Sequence, residues 1–146
     1  MTTTATAPRA VATVAGIYEA FGRGDVPAIM ERLAPGVAWD AFPDSFAARA
    51  GVAHLRPGHG VEHVAAFFAT IGAWTVRAFD VQAVVGDDET AVARIAAEFE
   101  LPGGGAFRDE ELHLWRLGAD GRVAEFRHYV DTAKHVAAAR GEDTRR

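Results

Sequence analysis

Residues 75–130 read TVRAFDVQAVVGDDETAVARIAAEFELPGGGAFRDEELHLWRLGADGRVAEFRHYV, and the fold turns on this stretch. It divides into four strand-like runs, Thr75–Val85, Thr90–Leu101, Ala106–Leu117 and Arg122–Val130, with a side-chain period of two. The breaks between them, Gly86-Asp87-Asp88-Glu89, Pro102-Gly103-Gly104-Gly105 and Gly118-Ala119-Asp120-Gly121, are built from residues that favour turns. Links this short leave no room for a crossover, so the runs are expected to pair as successive antiparallel hairpins.

Upstream the period changes to that of a helix. Val11, Val14, Ile17, Tyr18 and Phe21 form one stripe that ends at Gly22-Arg23-Gly24. Asp25 is placed to cap a second helix with Pro27 in its first turn, and Val26, Ile29, Met30 and Leu33 make its apolar face up to Pro35-Gly36. Val37–Phe42 reads as a short strand, residues 43–60 as an irregular segment with a possible strand near Arg49, and Val61–Ile71 as a third helix. Asp131-Thr132 precedes a last helix over Ala133–Arg140. Helices followed by a hairpin meander give an α+β fold: a cone-shaped, curved antiparallel sheet closed by the N-terminal helices, with a pocket inside. One domain over residues 10–140 is expected, with flexible tails at 1–9 and 141–146.

Composition narrows the chemistry. The chain has 146 residues, 15 Lys+Arg against 20 Asp+Glu, six His and no Cys. This length supports one core, and the acidic balance argues against a nucleic-acid partner. Without cysteine there is no disulfide, thiol nucleophile or thiolate metal site. No apolar run reaches the roughly 20 residues of a membrane span, and residues 1–9 lack the apolar segment of a signal peptide, so a cytoplasmic protein is expected.

Strand parity then sorts the polar residues. In the third run Phe107, Asp109, Glu111, His113, Trp115 and Leu117 share a face; in the fourth, Ala124, Phe126, His128 and Val130 do. A turn placing Leu117 opposite Arg122 would pair His113 with Phe126 and Glu111 with His128. The two histidines would then be diagonal neighbours among Phe126 and Trp115, suited to proton transfer or, equally, to being core histidines with one hydrogen bond each. Asp40, beside Trp39, is either a desolvated base or an exposed strand end. His54, His59 and His63 lack a ligand spacing, so no metal site is expected, and these three with His135 read as surface or loop residues.

Four segments carry a family resemblance: Tyr18-Glu-Ala-Phe-Gly-Arg-Gly-Asp25, Leu33-Ala-Pro-Gly-Val-Ala-Trp-Asp40, Arg56–Phe68 and His113–Thr132. Together they resemble the SnoaL-like polyketide cyclase and ketosteroid isomerase families of the nuclear transport factor 2-like superfamily, over about residues 11–136. The resemblance implies the cone fold and places the isomerase general base on Asp40. It places the phenolic oxyanion donor on Ile17, next to Tyr18, and the neutral carboxylic acid of the oxyanion hole on His113. The general acid of the cyclases falls on His128. The Asp-Arg-Asp trio of the related epoxide hydrolases has no counterpart.

The expected function is therefore proton-transfer catalysis without a cofactor on a hydrophobic, carbonyl-bearing small molecule of polyketide or terpenoid type, by cyclisation, isomerisation or dehydration. Asp40 would act as base, His113 would polarise the oxygen, and His128, oriented by Glu111, would be a second acid or base. Tyr18, Trp39, Phe42, Phe67, Trp115 and Phe126 would line the substrate site. The alternative is a non-catalytic small-molecule-binding or accessory protein using the same pocket. No membrane partner is expected, and a homodimer through the outer sheet face around Leu112 and Leu114 is.

Overall fold

The structure is a computed structural model and describes residues 6–145. In chain order the elements are α1 (Arg9–Gly22), α2 (Val26–Met30), β1 (Leu33–Trp39), α3 (Phe46–Arg49), a 3-10 turn (Ala53–Leu55), β2 (Gly58–His59), α4 (Val61–Gly72), β3 (Thr75–Gly86), β4 (Thr90–Glu100), β5 (Ala106–Leu117), β6 (Val123–Tyr129) and α5 (Thr132–Ala139). The six strands form one curved, unclosed sheet in the order β2-β1-β6-β5-β4-β3. The β3–β6 meander is antiparallel throughout, while β1 joins β6 in parallel. No helix among the described residues is long and apolar enough to cross a membrane.

The helical stripe of α1 does what its spacing dictates. Val14 and Ile17 are buried against Trp39, Trp115, Leu117 and Phe126 of the sheet, and Val64 of α4 joins the same cluster. Asp25 caps α2 by accepting from the Ala28 N–H at 3.2 Å, and Asp131 caps α5 by accepting from Lys134 N–H at 3.3 Å.

Local pattern fails at identifiable places. Leu33 leaves the second helix and opens β1, so Pro35-Gly36 lie within a strand, at a break in its register with β6. A proline cannot donate to the ladder and is tolerated where the pairing is interrupted. The segment near Arg49 is a single helical turn capped by Ser45, not a strand. Residues 141–145 are tied down rather than frayed. The Ala106 N–H donates to the Glu142 carbonyl, Thr144 N–H returns to the Ala106 carbonyl, and Arg145 reaches Glu98 at 3.1 Å. Of the expected N-terminal tail, residues 1–5 lie outside the described residues, as does Arg146.

One register correction shapes the site. His113 pairs directly with His128, and Trp115 with Phe126. The ladder steps from Arg116↔Glu125 to Leu117↔Val123, so Ala124 is an extra residue on β6. The turn sets Leu117 opposite Val123 instead of Arg122 and the bulge adds one residue more, so the pairing slides by two relative to an unbroken hairpin from Leu117↔Arg122. An even shift preserves the inward face of His128, and the bulge turns Val123 inward as well. On the outer face Leu112 and Tyr129 pair, 45% and 46% exposed.

The glycine turn before β5 has a steric requirement. A Cβ on Gly105 would collide with the backbone carbonyl of Ala138 at the end of α5. Gly105→Ala is therefore expected to destabilise the fold by about 1–3 kcal/mol, read as a lower urea midpoint. An unchanged midpoint would mean that α5 is free to move away.

Candidate active site

The cone encloses a cavity walled by aromatic rings. Trp39, Phe67, Trp115 and Phe126 line it together with Tyr18, His113 and His128, and it extends past Glu111 to His54 and His135. Trp39 packs on Phe126 with ring centroids 4.1 Å apart and on Phe67 at 5.3 Å. Such walls keep water from the polar groups among them.

At one end stands an aspartate–histidine pair. Asp40, which directly follows β1, has φ +52° and is 1% exposed. Aspartate tolerates this left-handed conformation better than most residues, at a cost of order 1–3 kcal/mol. The conformation is held by three hydrogen bonds across to β6. Asp40 N–H donates to the Phe126 carbonyl at 2.9 Å, and the carboxylate accepts from His128 N–H at 2.7 Å and from His128 Nδ1–H at 2.7 Å. Both carboxylate oxygens are thus committed, and Asp40 is not part of the main cavity wall. His128 is: its Nδ1–H is held by Asp40, and its Nε2 has no hydrogen-bond partner among the described residues.

This geometry reassigns the expected parts. Asp40, expected as the base, lies off the main cavity wall with its carboxylate on His128, where it fixes that ring. Glu111 does not orient His128: it accepts from His113 Nε2–H at 2.9 Å. Because a carboxylate can only accept, the His113 proton sits on Nε2, and Nδ1 receives the Tyr18 hydroxyl proton at 2.6 Å. Trp115 Nε1–H donates to the same Tyr18 oxygen at 3.0 Å. The phenol comes from Tyr18 and not from Ile17, which is buried in the core. The His113 and His128 rings stand 4.9 Å apart and nearly perpendicular.

Phe42 does not belong to this cavity. It packs edge-on against Tyr129 at 5.3 Å and beneath the Arg127 guanidinium at 5.0 Å, and lines a second pocket with Asp40 on the other side of His128. Tyr18, Trp39, Phe67, Trp115 and Phe126 do line the cavity.

Two polar residues missed by sequence reading, His54 and His135, complete the wall, and Asp109 stands behind them on His135. His135 Nε2–H reaches Asp109 at 2.8 Å and Glu111 at 3.3 Å, and its Nδ1 lies 2.8 Å from His54 Nε2. His54 and His135 are therefore buried, not surface residues, whereas His59 is exposed. Asp109 shares strand parity with Glu111 and His113, a signal available in the sequence. That α5 folds back to deliver His135, and the 3-10 turn His54, was not locally encoded.

Electrostatics follow from burial set against these bonds. Burial raises the Tyr18 phenol well above its ordinary range, so it stays protonated. Burial lowers His113, and the Glu111 hydrogen bond opposes this only in part, so its imidazole is neutral. Glu111 is pushed up by burial, but the bonds from His113 and His135 outweigh that and hold it well below the usual carboxylate range. His135 is opposed by burial yet raised to about 9 by Asp109 and Glu111, so it is an imidazolium at neutral pH. Burial raises Asp109, against the His135 hydrogen bond. Burial and the charge of His135 keep His54 well below the ordinary imidazole range.

The comparisons agree on the fold. An NTF2-like protein of unknown function from Burkholderia pseudomallei superposes with a TM-score of 0.76 at 24% identity, covering 91% of this chain and 98% of that one. A protein from Xanthomonas campestris described as a "putative polyketide cyclase" gives 0.66 at 20% identity, over 90% and 96% of the two chains. Another so described, from Pseudomonas putida, gives 0.67 at 17% identity, over 91% and 98%. No curated protein matches the chain. The SnoaL-like domain family matches residues 14–126, and the chain belongs to that family.

Proposed function

We propose that the protein is an enzyme of cyclase or isomerase type that moves protons on a hydrophobic carbonyl compound. The observation that carries this reading is the Asp40–His128 pair: a histidine on an apolar cavity wall, its Nδ1 proton held by a buried carboxylate and its Nε2 without a partner among the described residues. This is the arrangement of an oriented general base. His128 Nε2 takes a proton from the carbon next to the substrate carbonyl. Tyr18 is the acid arm: its hydroxyl proton, resting on His113 Nδ1, turns to the oxygen on which negative charge develops. Glu111 fixes the His113 tautomer that makes this possible. His128 then returns its proton at a different carbon in an isomerisation; in a cyclisation the enolate carbon bonds to a second carbonyl carbon, whose π electrons pass to its oxygen, and that alkoxide takes the proton back from His128. The SnoaL-like family and the cyclase description of two similar structures support the reading.

Its test is deuterium exchange. In D2O, 1-tetralone or a β,γ-unsaturated decalone is expected to exchange its α-protons at least about 100-fold faster with the protein than in buffer, followed by proton NMR. Exchange at the buffer rate for both ketones would leave the cavity without base catalysis and favour a binding protein.

A further inference from the structure

We propose that the cavity carries a second polar subsite, at its Phe107 end, in which the His54 ring N–H binds an acceptor oxygen on the end of the substrate remote from the reacting carbonyl. The proposal rests on the reading of the cavity as the site of a small carbonyl compound, and it adds a requirement that reading does not contain: oxygen at both ends.

The donor is fixed by its neighbours. His135 Nε2 faces two carboxylates, Asp109 at 2.8 Å and Glu111 at 3.3 Å, which hold the ring as an imidazolium. Its remaining proton, on Nδ1, then points to His54 Nε2 at 2.8 Å. His54 must accept there, so as a neutral ring its own proton lies on Nδ1. That Nδ1–H has no hydrogen-bond partner among the described residues, although His54 is only 7% exposed and lines the cavity. The ring is clamped edge-on to Trp74 at 4.6 Å and parallel to Phe107 at 6.4 Å, so the donor is presented without further ordering.

The other end repeats the pattern. Trp39 Nε1–H is buried without a partner among the described residues, and its ring stands 6.4 Å from that of His128. Both groups are donors only, the Trp39 N–H fully buried and the His54 N–H on the wall of the cavity, and a donor left unpaired among apolar rings is completed by an acceptor. The ligand chemistry that satisfies both is a planar or alicyclic frame with a carbonyl or ether oxygen at each end. A compound with a single oxygen leaves one of the two N–H groups against hydrocarbon.

All three tryptophans of the chain line the cavity, so quenching of intrinsic fluorescence reports binding. Two matched pairs serve as probes: androst-4-en-3-one with androst-4-ene-3,17-dione, and 2-acetylnaphthalene with 2,6-diacetylnaphthalene. In at least one pair the dioxygenated member is expected to bind about tenfold more tightly. His54→Leu is expected to erase that preference, so that the two members of the pair bind with equal affinity. His54→Gln is expected to keep it, because a carboxamide can accept from His135 and still donate. Equal affinities within both pairs, no saturable quenching by any of the four, or a preference that survives His54→Leu overturns the subsite. Should His54→Leu not fold, nitrogen-15 NMR of the wild type decides: the His54 Nδ1–H resonance must shift with the dioxygenated ligand and not with its partner, and a resonance that stays put overturns the subsite. These readouts need no turnover. A protein that fails the deuterium-exchange test can still pass them, and one that passes exchange can fail them.

Discussion

His135→Leu is expected to lose about 3–5 kcal/mol of folding stability, the usual cost of removing one partner of a buried charge cluster. The His135 side chain is 2% exposed, and those of the two carboxylates it holds are 1% (Asp109) and 6% (Glu111). Leucine has nearly the volume of the imidazole, so packing changes little and the loss comes from stranding Asp109 and Glu111 without their cation. Urea unfolding at pH 7 measures it, and an unfolding free energy within about 1 kcal/mol of wild type would mean that the carboxylates neutralise themselves at little cost. Asp109→Asn added to His135→Leu is expected to recover part of the loss, because one stranded charge is gone.

The same cluster sets a pH dependence. The folded His135 is raised to about 9, above the ordinary imidazole value of roughly 6.5. A raised histidine contributes stability that is fully present below its unfolded value and is lost as pH rises through its folded value. Wild-type stability should therefore fall between about pH 6.5 and about 9, and the His135→Leu variant should be flatter over that window.

How far the sequence shows this follows from where each piece is encoded. The meander is written locally: a period of two between turn residues leaves few alternatives, and β3–β6 begin and end within a residue or two of the pattern. The inward face of His113 and His128 follows from the same parity. Their direct pairing does not, because it depends on the bulge at Ala124, and alanine carries no signal of a bulge. Asp40 is detectable as a carboxylate beside Trp39, but its role depends on the parallel pairing of β1 with β6, a contact across 88 residues. His54 and His135 are separated by 81 residues, and neither has a neighbour that predicts burial. A histidine after an irregular loop and one on a short C-terminal helix look solvated until the sheet bends them together. Phe42 misled for the opposite reason. It is apolar and next to the site in sequence, yet it follows the left-handed turn at Asp40, and its ring packs with Tyr129 and Arg127 instead of in the cavity.

That turn also makes Asp40→Asn the most informative substitution for the chemistry. The backbone N–H of His128 donates to one carboxylate oxygen, and the imidazole Nδ1–H to the other. In the asparagine variant the backbone N–H must still meet an oxygen, so the amide oxygen stays on that side and the NH2 faces Nδ1. Nδ1 becomes an acceptor, the imidazole proton moves to Nε2, and the atom presented to substrate changes from base to donor. Proton abstraction is expected to fall by about 10⁴, as when a catalytic histidine is held in the wrong tautomer, with far less change in ligand affinity. His128→Phe is expected to bring α-proton exchange down to the buffer rate. Nitrogen-15 NMR separates tautomer from misfolding: the Asp40→Asn protein should show His128 protonated on Nε2 with the remaining histidine resonances in place. A variant that shows this tautomer and still exchanges at the wild-type rate would remove His128 as the base.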